Sequence, residues 1–276
     1  MDTPEMDYKG RCATIPYLSA VSQEREWSGI ASTTQLLNGT MYEFLRLTKP
    51  YSATPDSRAF ALHGTHSHDQ LEQAAKKLGL PSEIALNIDR DIFDLLQPAQ
   101  DGWILVDNKT WGSYKVGKAL GMQDPVKVPD PSGELYKRDS QYGKAGTPKM
   151  VNLFKQDPAK ADMWEAELQL NRYRVMLDDL GVKVVSMALF VVVRDGGLQV
   201  ATSRGVDRNI YLIPVKKLDD NFITGYFMAK DNALKLALAT GKWSEPCDSR
   251  ECWEGAKCAS YCECWMYCPK GLLLKK

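Results

Sequence analysis

Two carboxylates and a lysine stand close together in the stretch Ile92 to Val116, IFDLLQPAQDGWILVDNKTWGSYKV. Asp94, Asp107 and Lys109 suit divalent-metal-assisted hydrolysis of a phosphodiester: the acids bind the metal, and the lysine orients or helps activate water and steadies phosphate charge. Ile92 to Leu96 and Trp103 to Lys109 are apolar runs of strand length, and Gln97 to Gly102 between them has the composition of a turn, so a β-hairpin is expected. Alternation along its second strand places Leu105, Asp107 and Lys109 on one face, so the acid and the lysine project together. An Asp-x-Lys triplet alone is often a solvated surface pair. Here it ends an apolar strand, and Thr110-Trp111-Gly112 leads into a helix-like run, Ser113 to Leu120.

Other elements bring further polar groups. A helix is expected from Ser57 or Asp56, either of which could cap it, through Phe60, Leu62, Leu71, Ala74, Ala75 and Leu78 to Gly79. It contains Gly64-Thr65-His66-Ser67-His68. His68 and Glu72, at i and i+4, could converge on one metal, or form a surface pair worth about 0.2–0.5 kcal/mol. Glu83 to Ile88 reads as a strand, and Asp89 and Asp91 compete with Asp94 for the first carboxylate position, Asp89 being the fallback. Met163 to Leu180 has the apolar face of a helix stopped by Gly181, with Gln169 and Tyr173 sharing a face. Val182 to Val193, Leu198 to Thr202 and Ile210 to Val215 read as strands, and Leu218 to Leu238 as a helix. The order implies an α/β fold with a mixed central sheet flanked by helices. Residues 121–162 are Pro-rich and aperiodic, an irregular loop in which Lys137, Arg138, Lys144 and Lys149 could meet phosphates or solvent. Residues 1–40 give only a short helix or irregular entry segment.

Composition narrows the class. Equal numbers of acidic and basic residues give zero net charge, so contact with nucleic acid must come from a local patch rather than a global field. The N-terminus, MDTPEMDYKG, lacks the pattern of a signal peptide and no run reaches transmembrane length, so a cytoplasmic protein without a membrane partner is expected. Six of the seven cysteines fall in the last thirty residues: Cys247, Cys252, Cys258, Cys262, Cys264 and Cys268. Without an export signal, metal ligation is favoured over disulfides.

The segment FD…VDNKT resembles motifs II and III of the PD-(D/E)XK nuclease superfamily, with Phe93 in place of the usual proline and Asp94, Asp107 and Lys109 on the motif positions. Gly64-Thr65-His66-Ser67-His68 resembles the G-T-x-x-H motif of the RecB-type branch, and Gln169-Leu170-Asn171-Arg172-Tyr173 its Q-x-x-x-Y motif. The branch includes phage exonucleases and CRISPR adaptation exonucleases. The resemblance implies a restriction-endonuclease-like core over residues 1–243, with Asp94, Asp107, Lys109, Gln169 and Tyr173 catalytic and His68, Asp94 and Asp107 holding Mg²⁺ or Mn²⁺. It implies a metal-dependent deoxyribonuclease, an exonuclease on single strands or DNA ends in a prokaryotic or phage-infected cell. The alternative is a non-catalytic DNA-binding or scaffold subunit of a repair, recombination or CRISPR-adaptation complex. Cys258-x3-Cys262-x5-Cys268 resembles the C-terminal cysteine set of iron–sulfur members, so residues 244–276 are expected to pack on the core around a [4Fe–4S] cluster, with Zn²⁺ as the alternative. The family's first pair is commonly spaced closer, and its fourth ligand often lies near the N-terminus. Cys247, after a proline, is the expected fourth ligand; Cys12, Cys252 and Cys264 are the other possibilities.

Overall fold

The structure, a computed structural model, describes residues 13–22, 27–87 and 91–275. Cys12 and Asp89 lie outside the described residues. The chain divides into two compact units: Met1–Val106 with Glu167–Met187 and Lys216–Lys276, and Asp107–Ala166 with Ala188–Val215.

Short capped helices open the first unit. α1 (Ile15–Val21) is capped by Thr14, and α2 (Thr33–Leu37) starts in a capping box, with Ser32 accepting from the Gln35 backbone and Gln35 reaching back to Ser32. α3 (Thr40–Thr48) buries Met41, Phe44 and Leu45. The helix carrying the histidines is α4 (Pro55–Lys77). Thr54 caps it, accepting from the Ser57 backbone, with Pro55 in the first turn; the cap is thus upstream of the Asp56 or Ser57 expected, because proline's missing N–H is harmless only at the very start. α4 is lightly buried, with Ala75 its one buried residue and Phe60 and Leu78 largely exposed.

A five-stranded, mainly antiparallel sheet runs in the order β1-β2-β3-β6-β7 and is flanked by helices. Its strands are β1 (Ser82–Ala85), β2 (Ile92–Ala99), β3 (Gly102–Trp111), β6 (Val184–Val193) and β7 (Ile210–Val215). The hairpin has a tighter turn than the sequence suggested: Ala99 pairs with Gly102, so Gln97 and Pro98 belong to the strand. Proline is tolerated there because the Leu96 N–H reaches the Pro81 carbonyl just before β1, where that strand begins, so two residues on no ladder bond is forfeited. Gly102, with φ +154, lies so close to the Lys183 carbonyl that a Cβ would sit 2.5 Å from it. β1 is shorter than expected, ending at Ala85. α6 (Trp164–Asp179) and α8 (Asp220–Thr240, capped by Asp219) match the helices read from the sequence. In the first unit Leu168, Leu170, Leu177, Ile223 and Leu234 are buried together with Leu105 of β3.

In the second unit β3 passes into α5 (Ser113–Leu120), closed by Gly121 in the left-handed region. The expected irregular loop contains a small two-stranded antiparallel sheet, β4 (Val126–Pro129) with β5 (Met150–Leu153). Their pairing spans too many residues for a local periodic signal. Leu198 to Thr202, expected as a strand, forms the helical turn α7 (Gln199–Thr202): Ala201 is fully buried, and the Ala201 and Thr202 amides close on the Leu198 carbonyl. Burial of one small residue outweighs the weak β-propensity of so short a run. The C-terminal segment, in the first unit, is a chain of short 3-10 and π turns ending in α9 (Pro269–Leu274). Among the described residues no helix is long and apolar enough to cross a membrane.

Candidate metal centres

The first centre lies in the first unit, where α4, β1 and β2 each contribute one side chain. His68, Glu83 and Asp94 offer ligand atoms all within 4.8 Å of one another. His68 Nδ1 is 3.5 Å from Asp94 Oδ2 and 3.8 Å from Glu83 Oε1. Because Ser82 pairs with Leu95 and Ile84 with Phe93, Glu83 stands opposite Asp94 across the β1–β2 ladder. Like charges directly opposite one another destabilise a sheet, and a single imidazole proton serves only one of two carboxylates. Glu83 also adopts φ +51, in the left-handed region that costs a residue with a Cβ about 1–2 kcal/mol. Two carboxylates and an imidazole brought this close together could hold a metal ion. One nitrogen and two oxygen donors fit Mn²⁺ or Mg²⁺ with remaining positions open to water.

Glu83 was not among the expected ligands. Other candidates are engaged elsewhere: Glu72 accepts from Lys76 one turn along α4, and His63 and His66 are exposed. Asp91, a competitor for the carboxylate position, is fully buried. It accepts from the Thr33 backbone at 2.6 Å and the Asn87 amide at 2.7 Å, with Arg172 at 3.4 Å, and so holds α2 and α6 to the start of β2. On α6, the Gln169 amide donates to the Tyr173 hydroxyl at 3.4 Å, with Tyr173 buried, which gives Gln169 the buttress its spacing predicts.

The second unit holds Asp107 and Lys109. Both project to one side of β3 as expected: Lys109 Nζ is 2.7 Å from Asp107 Oδ2. Asp107 is almost entirely buried, and its Oδ2 makes this ion pair without a hydrogen bond of good geometry among the described residues. A buried carboxylate oxygen without a hydrogen-bond partner among the described residues retains capacity to accept another donor or a cation. The strand end is fixed in place. Ser113 donates to Asp195 from both backbone and hydroxyl at 2.6 Å, Arg204 donates to the Ser113 hydroxyl at 2.8 Å, and the Arg194 amide caps the Trp111 carbonyl.

The second centre is the cysteine segment, again in the first unit. Cys247, Cys252, Cys258, Cys262 and Cys268 line one small, partly open cavity beside Tyr42 and Lys257. The four expected ligands thus share a cavity, and Cys252 joins them as a fifth. Cys264 is fully buried outside this lining. All six are free thiols. Gly39 makes room for the site: a Cβ there would fall 2.3 Å from Cys247 Sγ. The start of α3 meets the same sulfur, with the Tyr42 N–H donating to it, and the Cys264 N–H donates to Cys262. Lys270 Nζ donates to Cys252 Sγ at 3.2 Å and to the Cys247 carbonyl at 2.9 Å. Burial pushes the Cys247 thiol up to about 11, and shifts Cys258 and Cys262 in the same direction. Amide donors, a helix N-terminus and a lysine favour thiolate and oppose that burial. A metal bound as thiolate would displace the protons.

No family model matches the sequence, and no curated protein matches it. One solved structure, "Crystal structure of SSO0001", is similar at 15% identity with a TM-score of 0.42, covering 92% of each chain. A likeness that distant does not bear on the sites.

Proposed function

We propose that the chain is a divalent-metal-dependent deoxyribonuclease with a restriction-endonuclease-like core, acting on DNA ends or single strands as an exonuclease. The observation that carries this reading is the convergence of His68, Glu83 and Asp94, from three separate elements, within 4.8 Å. A surface pair would need neither the third group nor the strained backbone that aims it. His68, Glu83 and Asp94 would hold Mg²⁺ or Mn²⁺, which would supply Lewis-acid chemistry toward a phosphate oxygen and a water.

The roles of the remaining residues rest on the sequence resemblance. Asp94 and Asp107 are the chain neighbours of Leu95 and Val106, which pair in the hairpin. The resemblance gives Asp107 the role of a metal-binding carboxylate; Asp107 holds the Lys109 ammonium, and Lys109 would neutralise charge gathering on the phosphoryl oxygens. Gln169, held by Tyr173, orients the substrate. The cysteine cavity takes a [4Fe–4S] cluster on Cys247, Cys258, Cys262 and Cys268, with Cys252 the alternative fourth ligand. A tetrahedral Zn²⁺ with bonds of about 2.3 Å draws sulfurs to about 3.8 Å apart. Zn²⁺ on the same ligands is the alternative occupant. The cluster staples the C-terminal segment and takes no part in hydrolysis. On this reading the protein works in the cytoplasm of a prokaryotic or phage-infected cell, on DNA and with recombination or adaptation partners.

The test is digestion of end-labelled single- and double-stranded DNA with Mg²⁺ or Mn²⁺, with wild type beside Asp94→Asn. Metal-dependent shortening from the ends, lost in the variant, supports the reading. DNA binding without cleavage replaces it with a scaffold subunit.

A further inference from the structure

We infer that Glu263 is a positioning residue that ties the cysteine cavity to the helix carrying His68, so that ligation at the cysteines sets the cation affinity of the His68 site. This rests on the reading of His68, Glu83 and Asp94 as cation ligands.

Glu263 stands between Cys262, a wall of the cavity, and the fully buried Cys264. Its two carboxylate oxygens face two helices. Oε2 accepts from the Tyr42 hydroxyl of α3 at 3.2 Å, with Arg46 Nε of the same helix 3.9 Å away, and Oε1 pairs with Arg58 of α4 at 3.2 Å. The carboxylate is only 20% exposed, so water screens these pairs less than at an open surface. Tyr42 itself lines the cavity, and Lys257 lies 4.0 Å over its ring while donating to Asn38 at 2.9 Å. A change in how Cys262 is held therefore moves a carboxylate that grips the first turns of α4.

α4 is suited to respond. Its one buried residue is Ala75, near its far end, so apolar packing holds its beginning weakly. Polar anchors hold that end instead: Glu263 on Arg58, and the Tyr17 hydroxyl donating to the Pro55 carbonyl at 2.8 Å. His68 follows Arg58 by ten residues, about 15 Å along a continuous helix. A helix transmits a shift at its anchored end as a rigid rod, and a ligand set is sensitive to sub-ångström displacement.

The experiment is a Mn²⁺ titration of full-length protein, by calorimetry and by the signal of free Mn²⁺, on wild type, Glu263→Gln, Arg58→Gln, Cys262→Ser and the Glu263→Gln/Cys262→Ser double variant, with His68→Ala as the blank. Amide exchange along 58–72 is followed in the same proteins. Glu263→Gln and Arg58→Gln should each weaken Mn²⁺ binding about fivefold or more and speed exchange in α4. Cys262→Ser should weaken it in the wild-type background and add nothing once Glu263 is gone. Folded Glu263→Gln with wild-type Mn²⁺ affinity, or additive effects of the two changes, overturns the coupling and leaves the metal reading standing. Should Glu263→Gln fail to fold, Arg58→Gln carries the same test without touching the cysteine segment. No Mn²⁺ binding by wild type, or binding undiminished in His68→Ala, overturns the metal reading and the coupling with it.

Discussion

Replacing Glu83 with glycine and with alanine separates the two things that position does. The residue sits at φ +51 opposite Asp94, so it carries both backbone strain and a like-charge opposition. Alanine removes the carboxylate and keeps the strain; glycine removes both. A left-handed residue with a Cβ costs about 1–2 kcal/mol, of which glycine gives back roughly half through its own loss of freedom in a strand. Metal-free Glu83→Gly should therefore be more stable than Glu83→Ala by about 0.5–1 kcal/mol, or about 1–4 °C in thermal midpoint for a domain of this size. Both variants should lose the response to metal. Mn²⁺ at a hundred times its dissociation constant adds about 2.7 kcal/mol to wild type, whereas affinity weakened a hundredfold leaves only about 0.4 kcal/mol. Thermal unfolding with and without Mn²⁺ reads both quantities in one series. A glycine variant no more stable than the alanine variant refutes the strain, and a full Mn²⁺ increment in either variant refutes Glu83 as a ligand.

Lys109→Ala and Asp107→Asn should each abolish cleavage with the circular dichroism spectrum unchanged, since they remove charge rather than core volume; wild-type rates in either would move the site. His68→Ala should lower Mn²⁺ affinity and activity together while the exposed His66→Ala stays near wild type, and the reverse ranking would mean that α4 presents a different face. Gly39→Ala places a methyl 2.3 Å from Cys247 Sγ, so it should cost about 1–3 kcal/mol and lower the iron or zinc content of protein purified anaerobically. Unchanged metal content and stability would remove Cys247 from the ligand set.

Much of the frame was legible because it is written in local periodicity. The hairpin strands, α5, α6, β6 and α8 each carry a run whose apolar spacing matches one element. The pairing of Asp107 with Lys109, and of Gln169 with Tyr173, followed from spacing alone, since two residues along a strand or four along a helix share a face. Glu83 was missed because its place depends on the register of a four-residue strand and on a backbone conformation that sequence does not announce. The available signal was geometric: a strand paired with β2 must put some residue opposite Asp94. Thr54 was passed over as a cap because Asp56 and Ser57 are equally good cap residues, and only Pro55 in the first turn decides among the three. The β4–β5 pair and the helical turn at α7 reflect contacts far apart in the chain or the burial of one alanine, neither visible in a window of residues. In the cysteine segment, the family resemblance marked out Cys258, Cys262 and Cys268, but the turns that bring Cys252 to the same cavity have no repeating pattern.

The measurement that tests the central claim most directly sets binding against cleavage on one protein, freed of divalent metal by chelation and returned to Mn²⁺ in steps. Mn²⁺ bound and the rate of release from end-labelled single-stranded DNA are read at each step. If His68, Glu83 and Asp94 hold the cation that supports hydrolysis, the two curves share a midpoint in wild type, and Asp94→Asn loses both while remaining folded. Cleavage that persists without divalent metal, or that survives in Asp94→Asn with wild-type Mn²⁺ dependence, would contradict the account.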